Sequence, residues 1–221
     1  MYLPKSLSVP FIFCLYLFVG SLQAQDFQKW EKEISDIEKQ DKKSTPPANP
    51  IVFTGSSSIR LWETLNKDFP DKKVLNRGFG GSQTFEVLHF ADRLILPYQP
   101  KQVVIYVGDN DLAAGKTPDQ VVADFKALFQ KVRQNSPATY ITFISIKPSP
   151  SRKQLLPAIT QTNQLIRQYL AEQDRTDYVD IYSRMLLPSG KFNPVLYRAD
   201  SLHMTDAGYR IWADAVRPVL K

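Results

Sequence analysis

The sequence predicts a three-layer α/β/α sandwich around a parallel sheet of five strands. Short apolar runs rich in β-branched residues alternate with longer stretches whose apolar residues recur at helical spacing, the pattern of strands joined by crossover helices. Such helices cover both faces of a parallel sheet, and right-handed crossovers restrict the topology to a few arrangements. The chain of 221 residues has one cysteine, Cys14, so no disulfide framework replaces a hydrophobic core.

Residues 1–24 read as a signal peptide. Lys5 gives a short positive start, an apolar run covers 9–20, and Leu22-Gln23-Ala24 ends on a small residue. The run is shorter than the roughly 20 apolar residues a membrane span needs. The expectation is a mature chain without a stable span, exported to the periplasm or outside the cell. Cys14 follows Phe11-Ile12-Phe13, which is not the small-residue context of a lipid-attachment signal.

Residues 25–50 form an N-terminal helix and a connector. Phe27, Trp30, Ile34 and Ile37 mark one face of an amphipathic helix over 26–43, and the proline-rich stretch 45–50 ends it. The main domain spans 51–221. Its first strand is 51–54, closed by Gly55, with a helix expected over 58–65. A second strand is expected over 73–76, before the glycine-rich 77–81, and then a helix over 83–96 bounded by Pro97. The run 102–107 is the clearest buried strand. Val121, Val122, Phe125, Leu128, Phe129 and Val132 give one helix face over 118–132, with Pro118 in its first turn. Strands four and five are expected over 140–146 and 178–181. Between them Leu155, Ile159, Thr162, Ile166 and Leu170 mark a long helix. Ile211, Trp212, Ala215, Val216 and Val219 mark the last one.

The formal net charge is +6, but basic residues are spread along the chain among acids. No basic block argues for a nucleic-acid partner. The chemistry narrows by elimination. The two histidines, His89 and His203, lack the paired spacing of a metal site, and no glycine-rich phosphate or dinucleotide loop follows a strand. Neither a metal nor an organic cofactor is expected.

A serine mechanism needs a hydroxyl on a sharp turn, a base, an orienting carboxylate and donors for an oxyanion. Ligands of open parallel sheets bind at the carboxyl ends of the strands. Gly55-Ser56-Ser57-Ser58 sits at that edge, where a strand gives way to a helix whose N-terminus favours negative charge. The same serines suit helix capping, and the local sequence does not choose among them. In Asp200-Ser201-Leu202-His203 the carboxylate can hold one imidazole nitrogen and leave the other facing a serine. Thr205-Asp206 can cap the following helix.

Four segments in order resemble the blocks of the SGNH (GDSL-like) hydrolases: Phe53-Thr54-Gly55-Ser56-Ser57, Asn76-Arg77-Gly78-Phe79-Gly80-Gly81, Gly108-Asp109-Asn110-Asp111 and Asp200-Ser201-Leu202-His203. The resemblance covers about residues 51–220. It is nearest to the bacterial branch similar to platelet-activating-factor acetylhydrolase. It implies a flavodoxin-like fold and assigns roles. Ser57 matches the nucleophile, His203 the general base and Asp200 its orienting carboxylate. The backbone N–H groups of Ser57 and Gly81 and the side chain of Asn110 match the oxyanion donors. One departure is plain: the first block usually reads Gly-Asp-Ser, and this chain has Ser56 in place of the aspartate.

The resemblance implies a serine esterase forming an acyl-serine intermediate. Little chain lies outside the core to form a lid, which favours short acyl groups such as acetyl, on a small-molecule or O-acetylated carbohydrate substrate. The rivals are a lysophospholipase or other lipid acylhydrolase, and a binding module that keeps the fold without turnover. Six further side chains carry expectations. His89 is expected to pack or lie at the surface, and Asp111 to tie its own loop. Lys147 and Arg152 lie at the active edge, either facing a polar or anionic substrate group or in a solvated loop. Phe79 and Tyr197 fit either a pocket floor or the core.

Overall fold

The computed structural model describes residues 27–221; the expected signal segment 1–24 lies outside them. Five parallel strands form one sheet in the order β2-β1-β3-β4-β5, with β1 Ile51–Gly55, β2 Val74–Gly78, β3 Gln102–Tyr106, β4 Tyr140–Ile144 and β5 Thr176–Val179. Every residue of β1 and β3 is buried, as expected for central strands covered on both faces. Alternation decides which side chain meets which layer. Val103 and Ile105 face one cluster, Val104 and Tyr106 the other.

The first layer holds α1 Gln28–Lys43, α4 Thr84–His89, α5 Ala91–Leu94, α7 Pro118–Asn135 and α8 Leu156–Ala171. The second holds α2 Ser57–Arg60, α3 Leu65–Asp68 and α9 Asp206–Val216. The expected face of α7 is the buried one, and Thr117 opens the helix with a capping box to Gln120, followed by Pro118. The expected α1 is present. Ile34 is fully buried, Phe27, Trp30 and Ile37 pack beside it, and Arg93 clamps the helix through Glu31 and Glu38.

The structure differs from the expected elements in several places. The helix over 58–65 is two single turns, because Asp68 accepts hydrogen bonds from both Trp62 Nε1 (2.7 Å) and Thr64 Oγ1 (2.6 Å) and turns the chain between them. The helix over 83–96 breaks at Phe90 into α4 and α5, and Pro97 lies inside a 3-10 turn, Leu96–Tyr98. β4 stops at Ile144; just beyond it Ser145 N–H still donates to Val179 O, and the Ser145 hydroxyl takes over by accepting from the N–H groups of Ile181 and Tyr182; β5 starts two residues earlier than expected. A further single turn, α6 Asp109–Ala113, follows β3. Its sequence has no apolar periodicity to announce it.

Candidate active site

The site grows from the turn after β1. Gly55 has φ +132°, and a Cβ there would lie 1.9 Å from the Tyr106 carbonyl oxygen, so only glycine lets β1 and β3 close up before the turn. Buried Ser56 then donates its N–H to Tyr106 O (3.2 Å), and its own carbonyl accepts from Ile59 and Arg60. Backbone bonds therefore close this turn although Ser56 replaces the usual aspartate. Ser57 opens α2 half-buried, with its N–H among those a helix start leaves without a helical acceptor.

Ser57 Oγ lies 2.9 Å from His203 Nε2, and His203 Nδ1 lies 2.6 Å from Asp200 Oδ2. With Nδ1 protonated, the imidazole donates to the carboxylate and accepts from the serine hydroxyl. The Asp200–His203 turn is closed on itself. Asp200 Oδ1 accepts the N–H groups of Leu202 and His203 (2.9 Å each), Ser201 takes the left-handed conformation at φ +56°, and Arg198 N donates to His203 O at 2.7 Å. Thr205 caps α9 as expected. Desolvation pulls the Asp200 carboxyl upward, but the bonds from the His203 ring and the two backbone N–H groups prevail and bring it down to about 2. Its side chain is nevertheless 47% exposed and that of His203 25%, so the line of three groups opens to solvent.

Strand order places the remaining residues. β1 lies between β2 and β3, so the loops carrying Gly81 and Asn110 flank Ser57 at the carboxyl edge, where the strand sequence reverses direction. Asn110 Nδ2 donates to Ser82 O at 3.0 Å, which ties the two loops and aims the amide from a fixed position. Asp111 does more than tie its own loop. Fully buried, it accepts from the N–H and hydroxyl of Thr84 across the gap and from Lys116 at 3.1 Å. Burial raises its pKa, against the pull of Lys116 and Thr84.

Lys147 fits neither of its expected readings. It is 1% exposed and lies 2.8 Å from Asp109 Oδ2 and 3.2 Å from the Tyr106 hydroxyl. Burial, then the Asp109 charge, hold the Tyr106 phenol well above its ordinary pKa. Arg152 Nε stands 3.7 Å from the other Asp109 oxygen. Sequence reasoning missed this pair because an aspartate and a lysine 38 residues apart carry no mutual signal. It also missed Glu33 and Arg60, which reach the loop of Gly80 and Gly81. His89 packs, its ring stacked on Phe27 at 3.6 Å. Phe79 and Tyr197 are core side chains.

Among the described residues, no group of three His, Cys, Asp or Glu side chains converges as a metal set would, and no helix is long and apolar enough to cross a membrane. The arrangement can move a proton from a serine hydroxyl to an imidazole and hold the resulting cation against a carboxylate.

Comparison with known proteins gives concordant findings. The model of the GDSL-like Lipase/Acylhydrolase family matches residues 52–211. The chain is 30% identical over 165 residues to platelet-activating factor acetylhydrolase IB subunit alpha1 of Homo sapiens, covering 72% of this chain and 70% of that protein. Among solved structures it resembles a GDSL-like lipase from Bacteroides thetaiotaomicron VPI-5482 (TM-score 0.68, 20% identity, 87% of this chain and 96% of that one). It also resembles an acetyl-xylooligosaccharide esterase from Geobacillus Stearmophilus (TM-score 0.60, 15% identity, 80% and 96%). These two likenesses establish the shared fold.

Proposed function

The chain belongs to the GDSL-like lipase/acylhydrolase family, and from that premise we propose that it is a serine esterase cleaving short-chain, chiefly acetyl, esters. The hydrogen-bonded line Ser57–His203–Asp200, at 2.9 and 2.6 Å, carries the proposal. Ser57 Oγ attacks the ester carbonyl carbon as His203 Nε2 takes its proton. The N–H groups of Ser57 and Gly81 and the Asn110 amide hold the oxyanion. The tetrahedral intermediate collapses, and the alcohol leaves with the proton from His203. Water, deprotonated by His203, then attacks the acyl-Ser57 ester, and the acid leaves as His203 returns the proton to Ser57 Oγ. Asp200 keeps the imidazole in the required tautomer throughout.

Two observations favour a small acyl group on a bulky alcohol. The Asp200 and His203 side chains are open to solvent, so a large leaving group has room. The names of two similar proteins, an acetylhydrolase and an acetyl-xylooligosaccharide esterase, point to acetyl esters, the second on a carbohydrate. We take O-acetylated carbohydrate as the substrate class, met after export directed by residues 1–24.

Fluorophosphonate labelling tests the nucleophile: wild type labels, and Ser57→Ala does not. Equal labelling of both would remove Ser57 from its role. A chain-length series of nitrophenyl esters tests the acyl group, with acetyl expected to be turned over fastest. An optimum at eight carbons or longer would favour a lipid acylhydrolase instead.

A further inference from the structure

The first helix lies outside the segment matched by the family model, yet it reaches the active edge. Its apolar face and its Arg93 clamp account for docking. They do not account for Glu33. Both oxygens of that carboxylate sit 3.3 Å from the Gly80 backbone N–H, and one is 3.7 Å from Arg60 Nε. Arg60 lies three residues beyond Ser57 on the same helical turn and packs over Gly80, so that a Cβ there would meet its guanidinium at 3.1–3.2 Å. One turn earlier on α1, Trp30 packs edge-on to Phe79 and lies 3.6 Å from where a Gly81 Cβ would project. The residues from Phe79 to Gly81 are thus gripped by α1 and by the turn that carries the serine.

The grip has a physical purpose. Two successive glycines have little backbone preference of their own, and Gly81 adopts φ +68°. The direction of the Gly81 N–H is therefore set by outside contacts. An oxyanion donor helps only when it is held at the right place before the charge develops. Arg60 also offsets the Glu33 charge, which would otherwise oppose a nearby oxyanion.

We infer that α1 is a working part of the active site, with Glu33 as a positioning residue that fixes the Gly80–Gly81 loop and so aims the Gly81 N–H. The inference rests on the reading of Gly81 as an oxyanion donor. Glu33 touches no reacting atom and acts through Gly80.

The test compares wild type, Glu33→Ala, Glu33→Gln and Glu38→Ala in the full chain, by steady-state kinetics on nitrophenyl acetate and by thermal melting. Glu33→Ala is expected to lose about tenfold in kcat with KM within about twofold, the mark of an interaction made in the transition state. Glu33→Gln keeps an oxygen that accepts from Gly80 and is expected to recover most of that loss. Glu38→Ala removes an anchor of α1 that holds Arg93 and not Gly80; it is expected to lower Tm and leave kcat unchanged. Wild-type kcat in Glu33→Ala would overturn the inference. So would equal losses in the Ala and Gln variants, or a kcat loss in Glu38→Ala that tracks its Tm. These results leave the esterase reading intact. An inactive wild type would overturn both.

Discussion

Lys147 and Asp109 face each other across 2.8 Å inside the domain, one residue along the chain from Asn110. Two buried charges this close hold each other in place, and their removal is asymmetric. Lys147→Met leaves the Asp109 carboxylate buried with the Tyr106 hydroxyl at 3.5 Å and only the more distant Arg152 Nε, at 3.7 Å, to offset its charge. A loss of about 3–5 kcal/mol is expected. Urea denaturation reads it, and Lys147→Met combined with Asp109→Leu should regain most of it, since the buried carboxylate is then gone and the remaining Arg152 side chain is partly exposed.

Asn110 shares its amide between Ser82 O and the proposed oxyanion. Asn110→Ala is expected to cost roughly 10²–10³ in kcat, the scale for one lost oxyanion donor. Tm should fall by only a few degrees, since a single exchangeable hydrogen bond is worth about 1 kcal/mol. Steady-state kinetics paired with melting separate the two; a kcat within threefold of wild type would take Asn110 out of the donor set.

The Asp200 carboxyl is brought down from 3.8 to about 2. A carboxylate depressed in the folded state adds stability that is full above its unfolded pKa, near 4, and is lost as pH falls through about 2. The side chain is half exposed, so the contribution stays below about 1 kcal/mol. Melting temperatures of wild type and Asp200→Asn should differ by a constant, small amount from pH 7 to pH 4. The gap should then close toward pH 2. A gap that widened on acidification would contradict the pairing.

Gly55→Ala places a methyl 1.9 Å from Tyr106 O at a φ of +132°. Neither strand can yield without opening the centre of the sheet. A loss beyond about 4 kcal/mol is expected, seen as insoluble protein or as a Tm lowered by well over 10 °C. A soluble variant with wild-type melting would mean that the turn relaxes more than the β1–β3 register allows.

The fold was legible because its signals are local. The apolar run 102–107 and the helix face from Val121 to Val132 each announce their element and their buried side, and alternation then dictates a parallel sheet. Asp200 and His203 were legible for the same reason, since three residues on one turn fix their distance. Elements shorter than two turns were not. α2, α3 and α6 have no room for a period, and they are held by single side chains such as Asp68. The long-range polar contacts that shape the site were hidden too. Glu33 meets Gly80 and Lys147 meets Asp109 only after the layers have assembled, and nothing in the spacing of either pair says so.

The bond between Ser57 and His203 joins groups 146 residues apart, and α9 follows the histidine directly. Tyr209 of that helix donates to Ser58 O at 2.9 Å, one residue from Ser57. A chain that ended before Asp200 would present the Ser57 hydroxyl with no imidazole beside it. Under the proposed mechanism the reactivity of Ser57 therefore depends on this long-range closure of the domain, not on the α2 turn alone.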